Sequence, residues 1–131
     1  MINLNVINGN LILENIELIS GLKIEELFKY EGLIEIQKSF ENQPYESFVI
    51  KSPNNEEYVM SLMFYKNSLK NVNISLGKKY AFPPFIITKE EKDIIKIILI
   101  IIGGEKNYSS GKVEFSEDIK GGVISIAIIY K

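Results

Sequence analysis

Polar and apolar positions alternate with a period of two along much of this chain, and one stretch breaks that habit. From Lys89 to Ile102 apolar residues crowd too densely for a half-exposed strand, and these 14 residues outrun the roughly five or six that a strand usually reaches. Thr88 with Glu91 three residues later forms a capping box, the hydroxyl taking a first-turn amide and the carboxylate reaching back to the cap. Glu90, Glu91 and Asp93 suit the positive end of a helix dipole, and Gly103-Gly104 supplies a left-handed residue to close the element. These signals predict a helix over about 88–102, against the buried strand that a run of β-branched isoleucines would otherwise suggest.

Around that helix the alternation predicts strands. Ile2, Leu4 and Val6 share one side of an opening strand, and the turn residues Asn8-Gly9-Asn10 return the chain to Leu11-Ile12-Leu13 as a hairpin. Glu14 to Leu27 fits helical spacing loosely and is broken at Ser20-Gly21, which predicts short helical turns at about 14–19 and 23–28. Leu33 to Ile36 and Tyr45 to Ile50 are strand-like, with a polar linker from Ser39 to Pro44 between them. Tyr58 to Tyr65 is apolar on both sides, as a central strand covered on each face would be, and Val72 to Leu76 alternates as a strand with one wet face. Strands at about 45–51, 58–65 and 71–76 therefore form an antiparallel meander. Pro83-Pro84 forbids regular helix in the following crossover, where Phe82 and Phe85 are expected to reach the core. Lys112 to Phe115 and Val123 to Tyr130 close the chain as a hairpin, with Ile124, Ile126, Ile128 and Tyr130 on one face.

The architecture this implies is α+β: a single domain over 1–131, a mostly antiparallel sheet of six to seven strands, and one main helix packed on a face. At 100° per residue Ile94, Ile95, Ile98, Leu99, Ile101 and Ile102 turn towards a sheet, while Ile97 and Ile100 fall on the side of Asp93 and Lys96. Either the sheet curls round the helix, or an apolar patch is left there for a partner.

Composition narrows the chemistry. The chain has no cysteine, hence no disulfide, thiol nucleophile or thiolate metal site, and no histidine, the usual base near neutral pH and commonest transition-metal ligand. All 15 basic residues are lysines, so no guanidinium fork exists for phosphate, carboxylate or guanine. These absences argue against an enzyme and give no reason to expect a cofactor or metal. Gly103-Gly104 follows a helix and Gly121-Gly122 enters a strand, so neither makes a phosphate cradle. The pairs Glu25-Glu26, Glu31-Glu35 and Glu56-Glu57 lack the aromatic and loop context of a glycosidase site, and Glu117-Asp118 lacks the regular oxygen spacing of a calcium loop. Seven tyrosines and seven phenylalanines do not interleave with a basic stripe, which disfavours nucleic acid as a ligand. The alternating start at Met1 to Val6 is no secretion leader, and the run from Ile94 to Ile102 is less than half of the roughly 20 residues a membrane span needs, so the expected compartment is the cytoplasm. Charge is uneven: residues 1–57 carry ten glutamates against four lysines, and residues 58–131 carry eleven lysines against five glutamates and two aspartates. The acidic front half suits a basic partner.

One resemblance adds to this. Tyr108-Ser109-Ser110-Gly111-Lys112-Val113, then Asp118-Ile119-Lys120-Gly121-Gly122, then Ser125-Ile126 and Tyr130, resemble the closing hairpin of small cytoplasmic immunity proteins of bacterial toxin systems, including those of contact-dependent growth inhibition. The likeness covers roughly residues 85–130, takes in the helix with its double glycine, and rests on turn residues more than on partner contacts. It implies a protein that neutralises one cognate toxin domain by stoichiometric binding, without chemistry of its own. The acidic half then suggests a basic, nuclease-like partner met by Glu25, Glu26, Glu31, Glu35, Glu56 and Glu57, with Tyr30 and Tyr45 as aromatic anchors. The competing reading is a small-ligand-binding or structural domain, homodimeric through Ile97 and Ile100.

Overall fold

Short turns bring neighbouring strands together, and the register of those pairings decides which side chains share a face. The structure, a computed structural model, describes residues 2–5, 7–13, 16–52, 55–76, 89–109, 111–118 and 123–130. Three short strands, β1 (Ile2–Leu4), β2 (Leu11–Leu13) and β3 (Ile16–Leu18), pair antiparallel in that order as a small sheet. The opening hairpin is as the alternation predicts. The expected helical turn at 14–19 is instead β3: in register with β2, Ile16 and Leu18 fall on the side of Leu13 and Leu11, and all four are buried. A helix there would have turned some of them to water.

After the one-turn helix α1 (Ile24–Phe28) come β4 (Glu35–Asn42), β5 (Tyr45–Ser52), β6 (Asn55–Tyr65) and β7 (Ser68–Leu76). The long helix α2 (Lys89–Ile101) follows, then β8 (Lys106–Tyr108), β9 (Gly111–Asp118) and β10 (Val123–Tyr130). The second sheet is antiparallel throughout, in the order β4-β5-β6-β7-β10-β9-β8. The meander β5-β6-β7 and the closing hairpin are as expected. The supposed linker at 39–44 is mostly strand, since β4 runs on to Asn42, which pairs with Tyr45 across a turn at Gln43-Pro44. Between β6 and β7 the turn residues Lys66 and Asn67 both have positive φ, 49° and 63°, the primed geometry that matches strand twist.

Among the described residues the apolar core lies against one face of this sheet. Phe48, Ile50, Met60, Leu62, Phe64, Val72, Ile74, Val113, Ile124, Ile126, Ile128 and Tyr130 point inward into the core. The same core takes in Leu4, Leu11, Leu13, Ile16 and Leu18 of the small sheet, Leu27 of α1, and Ile95 and Leu99 of α2. Of the cover expected on both sides of β6, the described residues supply the core side: Val59, Ser61, Met63 and Tyr65, on the outward side, lie outside the core and are half-buried.

The stripe of α2 turned inward is Glu91, Ile95 and Leu99, each four residues from the last, followed by Ile102. Burial pushes the Glu91 carboxyl up from the ordinary carboxylate range. Ile97 and Ile100 are exposed, at 56% and 73%, and so is Ile101, which the helical projection had turned inward. Lys92 reaches Glu117 of β9 at 3.1 Å, and Lys96 lies 5.4 Å from the centre of the Phe115 ring, which fix the helix over that strand. At its end the Gly103 and Gly104 amides donate to the carbonyls of Ile100 and Leu99, and Gly104 has φ +77°, so the double glycine closes the helix as expected. The crossover with Phe82 and Phe85, the cap residue Thr88 and the turn at Lys120 lie outside the described residues.

Tyr130 joins the two sheets. Its hydroxyl donates to the Leu18 carbonyl of β3 and accepts from the Leu11 amide of β2, and burial pushes the phenol up to about 12. Gly111, at the head of β9, has φ +154°, and a Cβ there would stand 1.9 Å from the Ile129 carbonyl oxygen, so backbone contact allows no side chain.

Candidate functional site

The acidic and aromatic residues singled out by the sequence fall at two separate places. Glu25 and Glu26 stand exposed in the first turn of α1. Asn67 holds that turn against the β6–β7 corner: its side-chain oxygen accepts from the Ile24 amide at 3.0 Å and its amide group donates to Glu25 at 3.2 Å. The backbone amide of Glu25 and then Asn67 hold the Glu25 carboxyl below the ordinary range. The turn beneath is closed by the Lys66 amide donating to the Pro44 carbonyl, so Tyr45 belongs to this same end of the sheet.

Glu31 and Glu35 lie at the other end. With Gly32, Ile34 and Ile36 they line a shallow depression of about 330 Å³ beside β4, and both carboxylates are exposed. Glu35 is opposite Lys51, whereas Asn42 is opposite Tyr45, which separates the two acidic groups by the length of β4, about 24 Å at ~3.4 Å per residue. Glu56 and Glu57 are in the first residues of β6, and the structure describes their backbone alone. Tyr30 is half-buried against the core, its carbonyl accepting from the Leu33 and Ile34 amides.

Tyr45 is 45% exposed, with its ring 5.0 Å from that of Tyr65. Around it sequence reasoning missed the neighbours that matter most. Met63, Ser47 and Phe40 are opposite one another across β6, β5 and β4, and Tyr65, Tyr45 and Asn42 form the next row on the same outward face. Phe40, also 45% exposed, reaches that face because of a bulge. Gln37 faces Val49 and Lys38 faces Phe48, but Phe40 faces Ser47, so Ser39 is an extra residue that reverses the parity of β4. Its hydroxyl donates to the Ser47 carbonyl at 3.1 Å. On the inward side of the same strand Lys38 is paired with Glu41 and Glu46. Hydrogen bonding to Glu41 raises the Lys38 pKa and lowers that of Glu41. The available signal for this corner was Phe40 and Tyr45 flanking Asn42-Gln43-Pro44, a hairpin turn that reads in sequence as a polar linker.

The rest of the outward face is mixed: Val49, Val59 and Ile129 lie among serines and asparagines, and Lys112 pairs with Glu114 at 3.3 Å. The Ser47 and Ser61 hydroxyls are 3.5 Å apart, and the Ser125 hydroxyl is 3.3 Å from the Asn73 side-chain oxygen. Among the described residues no group of three carboxylates, histidines or cysteines is placed to hold a metal, and no helix is long and apolar enough to cross a membrane. The arrangement offers a broad surface with an aromatic corner and carboxylates at its margins, suited to contact with another macromolecule.

The fold so defined is an α+β one, a seven-stranded antiparallel sheet covered on one face by a small sheet and two helices. Over its whole length the chain is similar to a solved structure described as Rhs1-CT in complex with cognate immunity protein RhsI1, with a TM-score of 0.67, 16% identity and 88% of that chain covered. At this identity the likeness establishes a shared fold. No protein-family model matches the sequence, and no curated protein does.

Proposed function

We propose that this chain is an immunity protein that binds one cognate toxin domain and neutralises it by stoichiometric complex formation. The observation that carries the reading is the likeness of fold over the whole chain to a structure described as a complex with a cognate immunity protein. The residue inventory supports it, since a protein without histidine, cysteine or arginine is poorly equipped for catalysis and well able to act by binding. We take the 131 residues as one domain acting in the cytoplasm, in a toxin system of the contact-dependent type, with a basic, nuclease-like partner. Glu25, Glu26, Glu31, Glu35, Glu56 and Glu57 steer that partner, and Tyr45 and Tyr30 supply aromatic contact.

The test is protection. The C-terminal domain of the polypeptide encoded immediately upstream is expressed inducibly in a bacterial host, with and without this chain. Growth arrest relieved by co-expression is the expected result, and arrest that persists unchanged at matched levels of the chain contradicts the reading. The exposed Ile97, Ile100 and Ile101 on α2 favour a second reading, a homodimer through that helix. Sedimentation at high concentration tests it: Ile100→Lys should abolish any dimer, and a monomer in the unaltered chain removes the proposal.

A further inference from the structure

We propose that the toxin domain docks on the outward face of the large sheet, with Phe40, Tyr45, Met63 and Tyr65 as the centre of the contact; this rests on the immunity reading above. Three observations carry it. The first is the bulge at Ser39, without which Phe40 would share the inward face of Ile36 and Lys38. A one-residue insertion that turns a phenylalanine away from the charged side of Lys38, Glu41 and Glu46 and onto the face of Tyr45 is a device for presenting it.

The second is the make-up of the corner. Cross-strand register places Phe40 beside Ser47 and Met63, and Tyr45 beside Tyr65, with no charged side chain in either row on that face. Ser47, between them, is only 5% exposed. The Tyr45 and Tyr65 rings are held by mutual contact, and the Lys66 ammonium lies 5.5 Å from the centre of the Tyr65 ring, so little side-chain freedom remains to be lost on binding. Aromatic and methionine side chains around an uncharged centre, with Glu25 and Lys66 at the margin, match the anatomy of a protein interface.

The third is size and shape, which choose the occupant. Strands β4, β5 and β6 at ~4.8 Å spacing, with about 8 residues at ~3.3 Å each, give a patch of roughly 350–400 Å², the size of the centre of an interface to which each partner contributes ~800 Å². An uncharged aromatic patch of this extent suits a folded partner domain. A second copy added through the free edge of β4 is opposed by the bulge and by Glu35, Lys38 and Glu41 along that strand.

The test is surface-plasmon titration of the full chain against the upstream-encoded C-terminal domain, with sedimentation of the chain alone. A Phe40→Ser/Tyr45→Ser double variant should fold with an unchanged far-ultraviolet spectrum and bind about 100-fold more weakly, mainly through faster dissociation. Should that variant fail to fold, Met63→Glu probes the same corner and is expected to give the same loss. Ile97→Ser/Ile100→Ser on the opposite side of the molecule should bind within about threefold of the unaltered chain. Binding by the unaltered chain that survives the corner substitutions within threefold overturns this inference and leaves the immunity reading standing. Failure of the unaltered chain to bind overturns both, and a dimer dissolved by the double variant makes a second copy the occupant and overturns the choice of toxin.

Discussion

Met63 and Phe64 are neighbours in β6 and stand on opposite faces of one sheet. Phe64 is fully buried, packed edge-on to Phe48 at 5.7 Å, within a core built from both sheets and both helices. Met63 is half-buried on a face where serines and asparagines bond to one another and no described element joins the core. The inward face carries the apolar core, while on the outward face Ser47, Ser125 and Ala127 are buried but Phe40 and Tyr45 stand 45% exposed, so that corner can serve contact with another molecule. A sheet packed on one side needs apolar residues at alternate positions only, which leaves room for the polar parity and for an aromatic corner.

Substitutions along that divide should separate sharply. Phe64→Ala is expected to cost about 3–5 kcal/mol in urea unfolding, against less than about 1 kcal/mol for Met63→Ala. Equal losses would show that the outward face is packed as well. Gly111→Ala, forced against the Ile129 carbonyl, should cost about 3 kcal/mol or more by the same assay. Tyr130→Phe removes the hydroxyl that bridges the two sheets and should cost about 1–2 kcal/mol. The Tyr130 phenol is raised to about 12 in the fold, so the unfolded chain loses the proton first. Its contribution is intact below pH ~10 and is lost as pH rises through about 12, and Tyr130→Phe should flatten that part of the stability profile. The smallest effect is expected from Glu25→Lys/Glu26→Lys, which should leave stability nearly unchanged and slow association with a basic partner by about 3- to 10-fold at low salt. Unchanged kinetics would remove that end of α1 from the binding surface.

The fold was largely legible because its strongest signals are local. Double glycine closes α2, a two-residue turn joins β6 to β7, and the apolar run with Ile124, Ile126, Ile128 and Tyr130 on one face marks β10. What escaped depends on register. Ile16 and Leu18 read as helical until β2 is placed beside them, and Ser39 to Asn42 read as linker because polar residues on an edge strand carry no apolar alternation. Ile101 projects inward on an ideal helix, but α2 turns the Glu91, Ile95 and Leu99 line to the core. The site was legible only in part for the same reason. Residue type pointed to Tyr45 and the paired glutamates, but nothing in their spacing shows that Glu25 and Glu35 lie at opposite ends of a sheet. Nor does it show that a bulge delivers Phe40 to the face of Tyr45.

The most direct measurement of the account is calorimetric titration of this chain into the C-terminal domain encoded immediately upstream, at moderate ionic strength. A one-to-one complex of nanomolar affinity is predicted, with the negative heat-capacity change expected when apolar surface such as Phe40 and Tyr45 leaves water. Absence of binding, or a stoichiometry other than one, would contradict it.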